Sequence, residues 1–541
     1  MKKRIFAALL AAMSTAALFS ACNSGDSGSS SSESTASESS VSTSSAESSA
    51  SESAETSEET DWAAQAIADR TETEHLVVNW FSWNGSPEGL DRIVAEMNAL
   101  TVPELNIEVE MQVTDFAQRS QSLTLAFAGG EQIDLYYSSG LGLTQSVQNG
   151  YCMDLEMEDE NGNNLIETYG SNIIETMGWD VLDTSRVDGI LYGTPNQHDL
   201  AQGRCAINVR TDLLQRAEEY MDLEPDYDAT IWKVNGRDDI VTILKALHDA
   251  VPEMDTFHST TTTPAVGWTD VDNLGGDVFG VLTDYGQSSS EVVNFFETDS
   301  YIDYVNTMVD LNNYGCIPAD ALTDTTSDAA ALEAGTICAY YTSGKPDIVA
   351  GSTIPQICIQ GGPDFTSSSQ IGGFCWMMGY TTVDPVAAMQ YLNFMYESPE
   401  WNNLFMWGEE GVDYNLNDEG LVVQAEDSNY AHVMQWIGPA EFKAYVKEGN
   451  PPDLWEQYIE FNNGAVVSLA SGFSFDTSPV STQYTAVTNV YNQYQKTIEF
   501  GFVSDVEAAI AEMNDAMMTA GLQDIIDEKQ SQLDAWLALQ D

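Results

Sequence analysis

Between residues 75 and 137, strand-length apolar runs alternate with amphipathic stretches of helix length, and that alternation most restricts the fold. His75 to Phe81 is an apolar run of the kind buried on both faces of a sheet. Ser86 can cap a helix with Pro87 at its first position, after which Leu90, Ile93, Val94, Met97 and Leu100 share one face. Ile107, Val109, Met111 and Val113 alternate with Glu108, Glu110 and Gln112, a strand with one wet face. A second helix is expected from Asp115 to the Gly129-Gly130 stop, then a third strand from Ile133 to Tyr137. Strands spaced by such helices predict a parallel sheet with crossover helices. Ligands of such sheets sit beyond the carboxyl ends of the strands. Trp83 and Asn84 after the first strand, and Ser138 and Ser139 after the third, are therefore candidate contacts. For Trp83, simple packing at the sheet edge is an equal alternative.

A chain of 541 residues exceeds what one hydrophobic core organises, so two lobes are expected. Lys and Arg number 18 against 85 Asp and Glu, a formal charge of -67, which repels nucleic acid. Otherwise the acidity serves solubility. The 12 Trp and 23 Tyr are plentiful, and aromatic rings stack on sugar faces while Asn, Gln and Asp take the hydroxyls.

At the N-terminus Lys2-Lys3-Arg4 precede an apolar run, Ile5 to Phe19, that is too short to span a membrane. Ser20-Ala21-Cys22 closes it and resembles a bacterial lipobox, with Phe19 where Leu is usual. A signal peptide over 1–21 and a diacylglyceryl anchor on Cys22 are expected, the lipid being the only membrane contact. Residues 23 to about 59, Ser- and Glu-rich without aromatics, read as a disordered spacer, giving a lipid-anchored linker over 22–60.

Further on, Gly189-Ile190-Leu191-Tyr192 meets Gly193-Thr194-Pro195, and a second extended run leads to Arg210-Thr211-Asp212-Leu213-Leu214. This stretch resembles the first interlobe crossover of an extracellular solute-binding protein of an ABC importer. Other segments agree in order. Helices are expected over 238–250 and 301–313, a helix-to-strand step over 332–341, and a return crossover at Gly372-Gly373-Phe374-Cys375-Trp376. A helix over 385–396 follows. Asn403 to Tyr414 is similar to a segment of LipO-type lipoproteins, and Gly472-Phe473-Ser474-Phe475-Asp476 resembles the opening of their C-terminal module. Two helices close it, ending in Glu528-Lys529-Gln530 and Gln532-Leu533-Asp534-Ala535-Trp536.

The resemblance implies a two-lobed, periplasmic-binding-protein-like α/β fold. Each lobe would be a mainly parallel sheet flanked by helices, joined by a hinge of crossovers. Lobe 1 would hold residues 72–202 and 372–445, and lobe 2 residues 203–371 and 446–541. It also implies a monomer on the extracellular face of a bacterial membrane that captures a carbohydrate or oligosaccharide by hinge closure and delivers it to ABC permease subunits. The expected contacts are Trp83, Asn84, Ser139, Gln197, His198, Tyr341, Trp376 and Asp476. A surface glycan hydrolase using two carboxylates in the same cleft, and a peptide-binding lipoprotein, remain as alternatives.

No enzyme, cofactor or metal chemistry is expected. Six cysteines besides Cys22 (152, 205, 316, 338, 358 and 375) are widely spaced without a CxxC pair, which argues against zinc and for buried free thiols. The Asp159-x-Asn161-Gly162 loop has an EF-hand flavour that Met157 and Thr168 at the terminal ligand positions defeat. Five scattered His form no HExxH pair, and neither a GxSxG elbow nor a Walker loop occurs.

Overall fold

The computed structural model describes residues 60–539, except 84, 260–262, 348–353, 369–373, 431 and 433. The expected signal peptide, the Cys22 anchor, the spacer up to residue 59, Asn84 and the Gly372-Gly373 pair lie outside the described residues. Among these, no helix is long and apolar enough to cross a membrane.

Two sheets form two lobes. In the first, strands run in the order Ile107–Asp115, Glu74–Ser82, Leu135–Tyr137, Cys375–Met378, Gly193–Pro195. The first three are parallel, as the alternation predicts. Cys375–Met378 runs against both neighbours. The second sheet is built on Gln202–Arg210, which pairs antiparallel with Ile337–Gly344, Gln356–Gln360 and Asp364–Thr366. Asp255–His258, Ile231–Lys233 and Val466–Val467 extend it in parallel. Both sheets are thus mixed rather than mainly parallel, because strands entering from a crossover run opposite to those already there.

Each lobe has its own core. Leu76, Val78, Trp80 and Phe81 of the Glu74–Ser82 strand pack with Ile93 and Met97 of the Leu90–Leu105 helix and with the Pro385–Glu397 and Pro399–Trp407 helices. Those last two helices start as their sequences dictate. Asp384 and Ser398 accept N–H groups of the first turns, and Pro fills the first position of each. The Leu90–Leu105 helix begins later than Ser86-Pro87 suggested. Its N-cap is Gly89, whose N–H donates to the Asn429 carbonyl (2.8 Å), so a tertiary partner displaces the local cap. The segment after Trp407 also has a structural cause: fully buried Asp413 accepts both from Arg92 and from the Glu409 N–H.

The C-terminal helices belong to the second core, where Val487, Tyr491, Ile510, Met513, Met517, Ile525 and Leu533 join Phe279, Phe295, Phe296 and Tyr301. Three helices build this module, Ser481–Glu499, Val506–Ala520 and Leu522–Leu537, one more than the sequence reading expected. A further helix, Trp62–Asp69, precedes the expected start of lobe 1 and packs on it, with Gln390 donating to the Ala63 carbonyl (2.9 Å).

Candidate functional site

The site is built where the lobe-1 strands end and the chain crosses between lobes. Residues 196–201 carry it from the Gly193–Pro195 strand to Gln202–Arg210. Gln197 forms a parallel bridge with Ala440: its N–H donates to Pro439 O (2.8 Å) and its carbonyl accepts from Glu441 (3.2 Å). Asn462, on the Leu454–Gly464 helix, closes the other edge by accepting the N–H groups of Leu200 and Ala201 at 3.0 Å each. Gln197 is thus tied through its backbone, which leaves its amide to other partners.

Aromatic rings line the carboxyl ends of the lobe-1 strands. Trp83 is 50% exposed, the most open tryptophan among the described residues, and its ring lies 4.0 Å from that of Phe116. Phe116 meets Phe81 at 5.1 Å, Phe81 meets Trp436 at 6.3 Å, and Trp436 meets Phe374 at 5.5 Å. Buried His198 lies 6.4 Å from Trp436. Trp83 and His198 therefore join one wall, together with three half-buried rings, Phe116, Phe374 and Trp436, that sequence reasoning missed. Phe116 and Trp436 lie in single three-residue turns and Phe374 just before a strand, too short a context for a periodic signal, so only the fold brings these three together.

Beneath the wall lies fully buried Arg119. Its guanidinium donates to the carbonyls of Ser139 and Tyr137 and to Asn79 Oδ1, with no carboxylate among these partners. Burial lowers its pKa to about 9. Gly140, at φ +96°, wraps the Arg119 methylenes, where a Cβ would come within 3.0 Å of its Cγ. Ser139 is 8% exposed and serves this turn through its carbonyl.

At the crossovers His198 contacts Asp199 (3.1 Å), and Asp199 also pairs with Lys345 from the end of the Ile337–Gly344 strand. Burial pushes the Asp199 carboxyl up, but Lys345 and His198 outweigh it and hold the group below the usual carboxylate range. On the lobe-2 side Tyr341 lies over Gly267, where any Cβ would collide with its ring, and burial raises its pKa. Nearby, Arg204 stacks on Phe365 at 4.5 Å.

Two expected contacts are placed otherwise. Trp376 is 0% exposed, its Nε1 donates to Ile437 O (3.0 Å), and its ring packs edge-on against Tyr137. It has no open face for stacking, because it lies on a strand covered on both sides. Asp476 is committed to protein partners: one oxygen accepts from Gln148 Nε2 (2.8 Å) and the other from the Ser478 N–H (2.9 Å). In the 159–169 loop, Asp159 accepts from Asn161, from Asn163 and from the Tyr169 hydroxyl, so hydrogen bonds close that turn. Among the described residues no cluster of three or more His, Cys, Asp or Glu could hold a metal, and all six described cysteines are free.

Residues 469–538 match a family described as a domain of unknown function, DUF3502. A carbohydrate ABC transporter substrate-binding protein of Streptococcus pneumoniae serotype 4 is 21% identical over 482 residues, covering 85% of this chain and 91% of its own. The structure of the N-glycan transport solute binding protein NgtS from S. pneumoniae superposes with a TM-score of 0.72 at 18% identity, over 86% of this chain and 100% of NgtS. The S. pneumoniae ABC-transporter substrate binding protein FusA, in complex with kestose, gives 0.52 at 15% identity, over 86% and 100%. These relatives are binding proteins rather than enzymes. In its two-lobed fold the chain is similar to solute-binding proteins of ABC importers, and its C-terminal residues 469–538 match the DUF3502 family.

Proposed function

We propose that this chain captures an oligosaccharide between its lobes and hands it to the permease of an ABC importer. The observation that carries this reading is the aromatic wall of Trp83, Phe116, Trp436 and Phe374, backed by fully buried Phe81 and set at the strand ends beside the crossovers. Sugar rings stack on such faces, and in this reading Gln197 and Ser139 from the first lobe and Tyr341 from the second supply hydrogen-bonding groups to the ligand. The relatives named above support the class, being a carbohydrate-, an N-glycan- and a kestose-binding protein. In this reading lobe 1 holds residues 72–202 and 372–445, and lobe 2 holds 203–371 and 446–541. Ligand contacts on both lobes favour the closed arrangement. A monomer tethered by a lipid on Cys22 to the outer face of the membrane completes the proposal.

The test is calorimetric titration of the chain from residue 23 onward with neutral oligosaccharides, monosaccharides and short peptides, with recovery of the ligand afterwards. An oligosaccharide that binds and returns intact supports the reading. Cleavage of the sugar, or binding of peptides alone, overturns it.

A further inference from the structure

The C-terminal module touches both lobes. Its base is fixed in lobe 2: fully buried Lys529 donates to Asp277 Oδ1 (2.8 Å) and to Gly280 O (3.1 Å). Gln530 accepts the Val292 N–H (2.7 Å), and Asn514 binds both Asn294 and Glu297 at 2.8 Å. From this base the module reaches lobe 1 at three points. Asp476 accepts from Gln148, which follows the lobe-1 strands on the Leu143–Gln148 helix. Gly472, at φ +92°, lies so close to Thr184 that a Cβ would come within 3.0 Å of the threonine Cα. Trp536 and Leu539 border a groove whose other side is Asp183, Arg186, Asp188 and Gly189.

None of these residues belongs to the 196–201 segment that carries the chain between the two sheets. Two bodies joined only through crossovers rotate about them, but a second junction elsewhere must break or slide when they do. The Asp476 carboxylate is held ready for that role. Its N–H donates to Gln532 Oε1 (2.8 Å), and its carbonyl accepts from Gln532 Nε2 (2.9 Å). The Glu528-Lys529-Gln530 and Gln532 motif thereby finds a purpose: Lys529 and Gln530 anchor the module while Gln532 aims Asp476. Gln148 is exposed, so its bond biases a two-state equilibrium by roughly three- to tenfold, which ligand binding can overcome.

We propose that the C-terminal module is a latch across the lobes, with Asp476 and Gln148 as its catch, holding this interlobe arrangement against the alternative one. The proposal rests on the two-lobed hinge and not on the identity of the ligand.

The test is a distance measurement by pulsed electron resonance on the chain from residue 23 onward, without ligand. Spin labels are placed at the exposed positions Glu104 and Glu253, one in each lobe, by a chemistry that spares the native thiols. Gln148→Ala, which alters only the catch, should raise the population of a second interlobe distance roughly three- to tenfold. Asp476→Ala should do the same, and the double variant should add nothing to either single change. An unaltered distance distribution in Gln148→Ala, or additive effects in the double variant, overturns the latch. Because no sugar enters the experiment, failure of the oligosaccharide reading leaves its outcome intact.

Discussion

Asn462 donates its side-chain amide to the carbonyl of His198 at 2.9 Å while its Oδ1 accepts the backbone N–H groups of Leu200 and Ala201 in the same crossover. One carboxamide from the Leu454–Gly464 helix thus satisfies three backbone groups of the segment that leaves the first sheet. Asn462→Ala should cost about 2 kcal/mol, since partly buried backbone groups lose their partners. Asn462→Asp, which keeps the acceptor and loses the donor, should cost about half as much. Urea titration at an unchanged m-value checks both, and a loss below about 0.5 kcal/mol in the alanine variant would reduce this clamp to a surface contact.

Two tryptophans with similar sequence surroundings should behave in opposite ways. Trp83 is half exposed, so Trp83→Ala should lower oligosaccharide affinity at least tenfold, about 1.4 kcal/mol, with its melting midpoint almost unchanged. Trp376 is enclosed, and Trp376→Ala should cost about 3–5 kcal/mol of stability. Calorimetric titration and thermal melts of both variants decide the matter. A Trp83→Ala protein that binds as tightly as the parent would remove the aromatic wall from the proposed site.

The same pair marks how far the site was legible. Trp83 follows a long apolar strand whose parallel partners are announced by alternation, so its place at the strand ends could be read directly. Trp376 closed the expected return crossover, but a strand begins at Cys375 and is covered on both faces, which only the tertiary arrangement decides. Asp476 was recognisable as part of a motif, whereas its partner Gln148 is 328 residues away and carries no local signal. The Ser481–Glu499 helix was missed although Tyr484, Val487, Tyr491, Tyr494 and Ile498 recur at helical spacing, because Thr, Asn and Gln fill the positions between them and lower its helix propensity. Packing of that face against lobe 2 supplies what propensity does not. The scarcity of cations was a usable clue. In a chain with only 18 Lys and Arg, three of them, Arg119, Arg204 and Lys529, are spent on buried positions.

Lys529 illustrates the energetics of that choice. Its ammonium is 0% exposed and meets Asp277, itself 13% exposed. Removing one member of a buried pair leaves the other charge without compensation, so Asp277→Ala should cost about 3–5 kcal/mol. The loss should be concentrated in the module that Lys529 anchors. Limited proteolysis should therefore cut the variant first within residues 469–538, ahead of lobe 1. A cleavage pattern identical to that of the parent would place the anchoring elsewhere.

Stability should fall as pH rises from 6 to 9. His258 is held between Asp328 at Nδ1 (2.6 Å) and Asp324 at Nε2 (3.1 Å), with its side chain 4% exposed. Burial opposes the charged imidazole, but the two carboxylates outweigh it and raise the pKa above its ordinary value. The folded state therefore binds this proton more tightly than the unfolded chain. The resulting stabilisation is complete below the ordinary histidine pKa and is lost as pH climbs through the raised one. Buried Glu499, also raised by its burial, contributes in the same direction. Asp324 and Asp199 are held below the usual range, so what they contribute is lost only in acid, well outside this window. Most other carboxylates are ionised from pH 6 upward, and charge repulsion stays nearly constant across it. Thermal midpoints between pH 6 and 9 should decline in the parent chain and decline less in His258→Gln. Equal slopes in the two proteins would remove the histidine clamp as the cause.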